Sequence, residues 1–149
     1  MLNRAHFWQY ACDIYRNEQV QQVLLEYQDL HSKNVNLCLL LDYLSSLSIQ
    51  LNAQQVQALI ACVERIDTTI LQPYRATRRQ VKSQCSDYPN YPSLRKSLLT
   101  TELELEKLQQ HLLIETANHL CLTRDVPNAN NLIHYLPQPL VDRFEHAKT

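Results

Sequence analysis

A chain of 149 residues with a formal net charge of −1 and no glycine is expected to form one domain. A domain of this size buries a core large enough to fold without disulfides or a metal. The absence of glycine argues against β-hairpins, Gly-rich phosphate loops and dinucleotide fingerprints, and the low net charge excludes an overall attraction to nucleic acid or anionic lipid.

Two helices are predicted at the start of the chain. Apolar residues recur at i, i+3, i+4 and i+7 from Phe7 to Ile14, which predicts a helix over about residues 4–16. Asn17 is a suitable N-cap for a second helix over about residues 18–31. The apolar stripe of that second helix is formed by Val20, Val23, Leu24, Tyr27 and, at its end, His31.

The next helix is predicted to be the buried centre of a bundle. Between Val35 and Leu47, apolar residues cover the whole circumference of a helix, whereas a surface helix keeps one polar face. Asn36 and Asp42 lie inside this segment. We expect both side chains to be partly buried and hydrogen-bonded, because an unpaired buried polar group costs about 1–3 kcal/mol.

A fourth helix is predicted to begin after Asn52 and to be kinked or ended by Pro73, which has no backbone N–H. The segment beyond this proline places basic residues at i, i+3, i+4 and i+7, so they share one helix face. This basic face consists of Arg75, Arg78, Arg79 and Lys82. Two further prolines predict a loop over residues 85–93.

The longest helix is predicted to run from about Ser93 to about Cys121. One of its faces has a heptad-like spacing, which would let the helix pack inside the bundle or form a homodimer. The positions of this seam are Leu94, Leu98, Thr101, Leu105, Leu108 and Leu112. Glu102 and Glu106 lie between the seam and a second leucine strip, so we expect both carboxylates to be partly covered.

The predicted fold is an all-α, single-domain helical bundle of about five to six helices, with a buried central helix and a long C-terminal helix. Residues 1–121 are expected to form this bundle. Residues 122–149 contain three prolines and an Asn-rich run, and only short helices fit there. We therefore expect them to form a loosely attached tail.

The cysteine pattern and the apolar runs predict a cytoplasmic protein that does not enter the membrane. The five cysteines are odd in number and widely spaced, which is typical of free thiols in a reducing compartment. The N-terminus has polar residues where a signal peptide would be apolar. The longest apolar run, LCLLL, is far shorter than the roughly 20 residues that span a bilayer.

Two groups of polar residues are candidates for a ligand site or for a structural network. The first group precedes the central helix and consists of Gln28, Asp29, His31, Asn34 and Asn36. It is interpreted either as a structural corner, in which Asn34 or Ser32 is the N-cap, or as part of a site. The second group consists of Arg75, Arg78, Arg79, Glu102 and Glu106. Its arginines would bind phosphate or carboxylate, close onto the two glutamates, or form a solvated face without a partner.

Catalytic and metal-binding roles are not predicted. Asp29 and His31 are the only nearby acid–base pair, and residues two apart on a helix do not face each other. His111, Glu115 and His119 recur every four residues, but the two histidines are about 12 Å apart along a helix axis and cannot both serve one ion. No catalytic residue, metal ligand or cofactor is therefore assigned.

Four segments span about residues 7–113: FWQYACDIY, YQDLHSKNVNLCLLL, PYRATRRQVK and ELELEKLQQ. Together they resemble an uncharacterised family of small, all-helical bacterial proteins, a domain of unknown function. Recurring features of that family match Gln28, Asp29, His31, Val35, Asn36, Arg75, Arg78, Arg79, Glu102 and Glu106. The chain departs from the family pattern at Asn34, where the family commonly has Asp. It also departs at Lys33, near which a glycine is missing, and at Tyr43 and Leu44, where a tryptophan is common. The resemblance implies the fold and this choice of residues, and no activity.

Three functions remain as hypotheses. The preferred one is a non-enzymatic, cytosolic interaction module that binds another protein, with a buried Arg/Glu network joining the segment after Pro73 to the long helix. The second is a small-ligand or enzymatic site for a phosphate- or carboxylate-containing molecule, built on the same polar residues. The third is association with RNA or the ribosome, which is weakened because Tyr74 is the only aromatic residue adjoining the basic face.

Overall fold

Helices make up the regular structure of the chain, of which the computed structural model describes residues 1–149. The α-helices are α1 (Arg4–Tyr15), α2 (Glu18–His31), α3 (Val35–Ser46), α4 (Ala53–Ile66), α5 (Gln72–Cys85), α6 (Tyr91–Asn118) and α7 (Gln138–Lys148). A π-helix (Asp67–Leu71) joins α4 to α5 without a break, and a 3-10 turn (Leu132–His134) precedes α7. With α4, the π-helix and α5 counted as one, six helical segments form the predicted all-α, single-domain bundle.

Asparagine side chains cap the first four helices. Asn17 accepts hydrogen bonds from two backbone N–H groups of α2, and Asn34 accepts one from the Leu37 amide at 2.8 Å. Asn52 forms a reciprocal capping box with Gln55 at the start of α4. Each cap satisfies an N–H group that the helix itself leaves unpaired. The predicted caps of these three helices are therefore confirmed.

The α3 helix is the buried centre of the bundle, as its composition predicts. Nine consecutive residues from Asn36 to Leu44 are buried, and α1, α2, α4 and α6 pack around them. Asp42 is only 3% exposed and accepts hydrogen bonds from the Tyr10 hydroxyl and, at 2.7 Å, from Lys148 Nζ. The hydrogen-bond partners that the buried Asp42 carboxylate requires thus come from α1 and α7, near the two ends of the chain.

Pro73 does not end the fourth helix. The chain stays helical through this residue, and the widened turn of the π-helix precedes it. The Gln72 amide bonds to the Asp67 carbonyl, which is the i to i+5 pattern of a π-helix. Because proline lacks an N–H and crowds the carbonyl four residues before it, the wider turn accommodates it without breaking the helix. The same π-helix brings Asp67 towards the start of α3, where it accepts a hydrogen bond from Asn34.

The structure corrects the expectation of a loosely attached tail over residues 122–149. The α7 helix packs on α2, and its Val141 and Phe144 side chains are at most 1% exposed. The hydroxyl of Tyr27 in α2 donates to the Leu140 carbonyl. The α7 helix is therefore part of the hydrophobic core, because its apolar residues recur at helical spacing and find a partner face on α2.

The segment before α7 is fixed by one fully buried amide, that of Asn131. Its Oδ1 accepts hydrogen bonds from the Leu51 amide at 2.7 Å and from Gln50 Nε2 at 3.0 Å. Its Nδ2 donates to the Ile49 carbonyl at 2.8 Å and to Ser45 Oγ at 3.2 Å. These bonds tie the Asn-rich run to the turn between α3 and α4.

Two serines follow helices in the left-handed conformation that glycine adopts most easily. Ser32 follows α2 with φ of 53°, and Ser48 follows α3 with φ of 60°. Ser32 directly precedes Lys33, the region where the resembled family has a glycine that this chain lacks. Both turns therefore place a residue with a Cβ atom in a backbone conformation that is sterically unfavourable for it.

Replacing Ser32 with glycine is expected to raise the free energy of unfolding by about 0.5–1 kcal/mol, because glycine has no Cβ to oppose positive φ. Urea denaturation of both proteins measures the change. The control is Ala61→Gly at an exposed position within α4, where the same residue type should cost about 1 kcal/mol. A loss of stability at both positions would contradict the assigned role of Ser32.

The outer end of the α5–α6 hairpin has almost no core of its own. We call residues 72–105 the arm. No residue of α5 is buried, and Glu102 is the only buried residue of α6 before Gln109. The Tyr74 hydroxyl donates to the Leu98 carbonyl at 2.6 Å and helps to join the two helices. Polar contacts therefore hold the arm together where apolar burial does not.

None of the helices combines the length and apolar character that crossing a bilayer requires.

Candidate functional site

A cleft of about 790 Å³ lies where the arm meets α1, α2 and α3. Its apolar lining includes Trp8, Leu25, Leu39, Leu99 and Leu103. The same lining contains charged and amide side chains, among them the arginines of α5 and the glutamates of α6. Most ligand sites in proteins have this combination of an apolar wall and a few convergent polar groups.

The predicted Arg/Glu contacts form the polar wall of the cleft. Arg75 Nε is 3.1 Å from Glu102 Oε1, and Arg75 Nη2 is 3.3 Å from Glu106 Oε1. Arg78 Nε is 2.9 Å from the second oxygen of Glu102. The Glu102 side chain is only 12% exposed, so its carboxylate is held between two guanidinium groups with little access to water. We call these four residues the Arg/Glu network.

Glu106 differs electrostatically from Glu102 because it has one arginine partner and is more exposed. Burial raises the pKa of the Glu106 carboxyl above its ordinary value of 4.5, although the charge of Arg75 acts in the opposite direction. Burial also raises the pKa of the nearby Tyr15 hydroxyl, and the negative charge of Glu106 adds to that shift. Burial therefore disfavours the ionised form of both side chains.

Glu106→Gln is expected to remove a decline in stability at rising pH. The folded protein binds the Glu106 proton more tightly than the unfolded chain does, so the contribution of this carboxyl is fully present below pH 4.5. That contribution is lost as the pH rises through the folded pKa. Urea denaturation between pH 4.5 and 7 measures this loss. As the pH rises, the free energy of unfolding of the variant should increase relative to that of the wild type.

The matched control for this pH dependence is Glu104→Gln. Glu104 is an exposed carboxylate on the same helix and lies outside the cleft. Its replacement should leave the pH dependence of stability nearly unchanged. If the wild type instead gained stability over Glu106→Gln as the pH rose, the assigned direction of the Glu106 pKa shift would be wrong.

An amide network lies under the Arg/Glu network and is centred on the buried side chain of Gln109. Gln109 Oε1 accepts hydrogen bonds from Asn36 Nδ2 at 2.8 Å and from Asn34 Nδ2 at 3.1 Å. Gln109 Nε2 donates to Asp67 Oδ1 at 2.9 Å, and Asn34 Nδ2 also reaches Asp67 Oδ2 at 2.8 Å. The network joins α3, α6 and the π-helix into one floor.

One amide in the floor of the cleft is only half satisfied. Gln110 Nε2 donates to Asn36 Oδ1 at 3.0 Å, but the buried Gln110 Oε1 has no hydrogen-bond partner. The Gln110 residue is 6% exposed and lines the cleft. An unsatisfied buried acceptor costs about 1–3 kcal/mol, so this oxygen is a position where a donor from a bound molecule would be favourable.

Eight of the ten sequence-predicted site residues line the cleft. They are Gln28, Asn34, Asn36, Arg75, Arg78, Arg79, Glu102 and Glu106. Asp29 and His31 do not line the cleft and are exposed near the end of α2, where the His31 ring lies edge-on to Tyr27. The two residues of the possible acid–base pair are thus separated from the polar cluster.

Sequence reasoning missed Asp67, Gln109 and Gln110. A signal for Gln109 existed, because on a helical wheel it lies about 60° from Leu94, close to the sector of Glu102. Asp67 gave no such signal, since its role depends on the π-helix and on partners from distant parts of the chain. Trp8 of α1 also contributes to the apolar lining of the cleft.

No group of three or more His, Cys, Asp or Glu side chains is arranged to hold a metal ion. His111 Nε2 instead lies 2.9 Å from Glu115 Oε1 on the surface, and His119 Nδ1 contacts the Glu115 carbonyl at 2.7 Å. The four-residue spacing of these side chains is accounted for by contacts within one helix.

Comparison with other proteins gives a family and no activity. No curated protein and no solved structure matches the chain significantly. A family model described as a protein of unknown function matches residues 6–113, which include most of α1, all of α2 to α5 and most of α6. The matched region contains every residue of the Arg/Glu network and both residues that line the floor beside it, Gln109 and Gln110. The chain therefore belongs to the family of proteins of unknown function DUF2390.

Proposed function

We propose that this chain is a non-enzymatic interaction module that binds a segment of another protein at the cleft. One observation carries the proposal. Leu25 on α2 and Leu99 and Leu103 on α6 are 40%, 37% and 45% exposed, and all three line the same cleft. Scattered exposed leucines are ordinary, but apolar side chains grouped around a concave surface are typical of a binding site.

The Arg/Glu network supports this proposal by joining α5 to α6, the helix that carries two of those leucines. Leu99 and Leu103 belong to the arm, whose α5 helix has no buried residue. Arg75 contacts both Glu102 and Glu106, so it links α5 to two successive turns of α6. In this proposal the network is structural, and its function is to hold a preformed binding surface.

The non-enzymatic part of the proposal rests on which groups reach the cleft. Catalysis needs a nucleophile or an acid–base pair within hydrogen-bond reach of a bound substrate. The two carboxylates in the cleft are both in contact with arginines, and His31 lies outside it. Cys12 lines the cleft as a free thiol, and no side chain is hydrogen-bonded to it as an acid or base. The five unpaired cysteines support the further proposal that the protein acts in the cytoplasm.

Native mass spectrometry of the tagged protein, drawn gently from the lysate of its own host, tests the proposal. The wild type should retain a stoichiometric protein partner, and Leu103→Asp should lose it. The matched control is Leu108→Asp, because Leu108 is 43% exposed on the same helix and does not line the cleft. A partner that is absent from the wild type, or that both variants lose equally, would contradict binding at the cleft.

A small-ligand site in the same cleft is the second candidate, and one observation favours it. Arg79 lines the cleft and has neither an ion pair nor a side-chain hydrogen bond, whereas Arg75 and Arg78 face glutamates. A volume of about 790 Å³ lies within the range of roughly 300–1,000 Å³ that small-molecule sites occupy. A small retained mass in the same native spectra would support this candidate instead.

Association with RNA is the weakest of the three hypotheses. Two of the four residues of the basic face, Arg75 and Arg78, contact carboxylates. Arg79 and Lys82 therefore remain as the exposed positive charges of that face. Two charges provide little of the counterion release on which nucleic-acid affinity depends. An affinity for RNA that does not change with salt concentration would rule this hypothesis out.

A further inference from the structure

We propose that the cleft binds a small amphipathic carboxylate, with Arg79 pairing to its anionic group and the wall around Trp8 and Leu103 covering its apolar chain. The inference names the ligand class of the second candidate function and rests on that candidate. It does not require a protein partner. Three observations carry it: the excess positive charge of the cleft, its apolar wall and the unsatisfied amide of Gln110.

The charges that line the cleft favour an anion. Four arginines and two glutamates line it, so its formal charge is +2. Arg75 and Arg78 contact the two glutamates, and Arg16 forms an exposed ion pair with Asp13 at 3.3 Å. Arg79 is left without a partner. The exposed guanidinium group of Arg79 is free to pair with a carboxylate through two parallel hydrogen bonds.

The number of unpaired arginines in the cleft favours a monoanion over a phosphate. A single unpaired arginine balances one negative charge, whereas a phosphate dianion would keep one uncompensated negative charge. A monocarboxylate paired with Arg79 leaves no such surplus charge.

The remaining lining indicates what else the ligand carries. Trp8, Leu25, Leu99 and Leu103 form an apolar surface that would cover a hydrocarbon chain. Gln110 Oε1 is buried in the lining without a donor, so a ligand N–H or O–H group would complete its hydrogen bonding. A carboxylate with a neighbouring amide and an alkyl chain has all three features.

N-octanoylglycine is a probe with these features, and N-octanoylglycinamide is its neutral counterpart. Trp8 is the only tryptophan of the chain and lines the cleft, so its fluorescence reports directly on occupancy. Titration of the wild-type protein with N-octanoylglycine should give a saturable change. The neutral amide should bind roughly tenfold more weakly, because it cannot form the charge-assisted hydrogen bonds.

Two charge-removing variants separate Arg79 from the rest of the basic face. Arg79→Gln should weaken N-octanoylglycine binding roughly tenfold and leave binding of the neutral amide unchanged. The matched control, Lys82→Gln, removes one positive charge from the same helix outside the cleft and should bind as the wild type does. Arg79 has no internal partner, so its replacement should not affect folding, and circular dichroism verifies this for both variants.

The possible failures are distinguishable. If the amide binds as tightly as the acid, or if Arg79→Gln binds the acid as tightly as the wild type does, the carboxylate assignment is overturned and ligand binding in the cleft survives. If octylammonium binds more tightly than the acid, the sign of the preferred charge is wrong. If none of the three compounds changes Trp8 fluorescence, this inference is contradicted, and the small-ligand candidate then depends on a small mass retained in the native spectra.

Discussion

Replacing Glu102 with alanine is expected to lower the free energy of unfolding by about 3–5 kcal/mol, the typical cost of removing one partner from a buried ion pair. The Glu102 side chain is 12% exposed and contacts both Arg75 and Arg78, whose side chains are 16% and 26% exposed. Its loss would leave two partly buried guanidinium groups facing each other. The replacement therefore removes an attraction and creates a repulsion.

Urea denaturation at neutral pH measures this change, and Glu104→Ala is the matched control. Glu104 is two residues away on the same helix, and its contact with Lys107 is exposed and 3.7 Å long. Exposed ion pairs are worth only about 0–1 kcal/mol, so the control should be close to the wild type. If the two variants were equally stable, the Arg/Glu network would not stabilise the fold.

The second large effect is expected at Phe144, where replacement with alanine should cost about 3–5 kcal/mol. The Phe144 side chain is fully buried in the interface of α7 with the rest of the bundle. Its removal would leave a cavity, and the hydrogen bond of Tyr27 to the Leu140 carbonyl restricts how far α7 can collapse into it. Unfolding should remain a single cooperative transition at a lower urea concentration.

His146→Ala is the control for Phe144, because His146 is exposed on the same helix. It should change stability by less than about 0.5 kcal/mol. The comparison also decides whether residues 122–149 belong to the cooperative unit. If Phe144→Ala left the main transition unchanged, α7 would be a separate and weakly attached element.

Local sequence signals were sufficient for the first three helices and for the start of the fourth. The caps at Asn17, Asn34 and Asn52 and the apolar stripes of these helices involve residues at most four positions apart. The all-round apolar character of α3 predicted its central position directly. The angular position of Glu102 between two leucine strips likewise predicted its burial, because both strips are part of one helix.

The C-terminal segment shows where local signals fail. A run of asparagines between prolines has the composition of an exposed loop, yet Asn131 is fully buried. Its partners Ile49 and Leu51 are about eighty positions away, so the hydrogen bonds cannot be inferred from neighbouring residues. In the cleft, Asp67 was missed for the same reason, because its contact with Asn34 depends on a π-helix that the local sequence does not specify.

The absence of buried residues in α5 separates two kinds of stability within one domain. The amide hydrogens of α3 are protected by the core and should exchange with solvent only when the whole bundle unfolds. Those of α5 depend on contacts with α6, chiefly the ion pairs of Arg75 and Arg78, and should exchange through local opening. Exchange rates along the arm would then follow the strength of a few ion pairs, while rates in α3 follow the hydrophobic core.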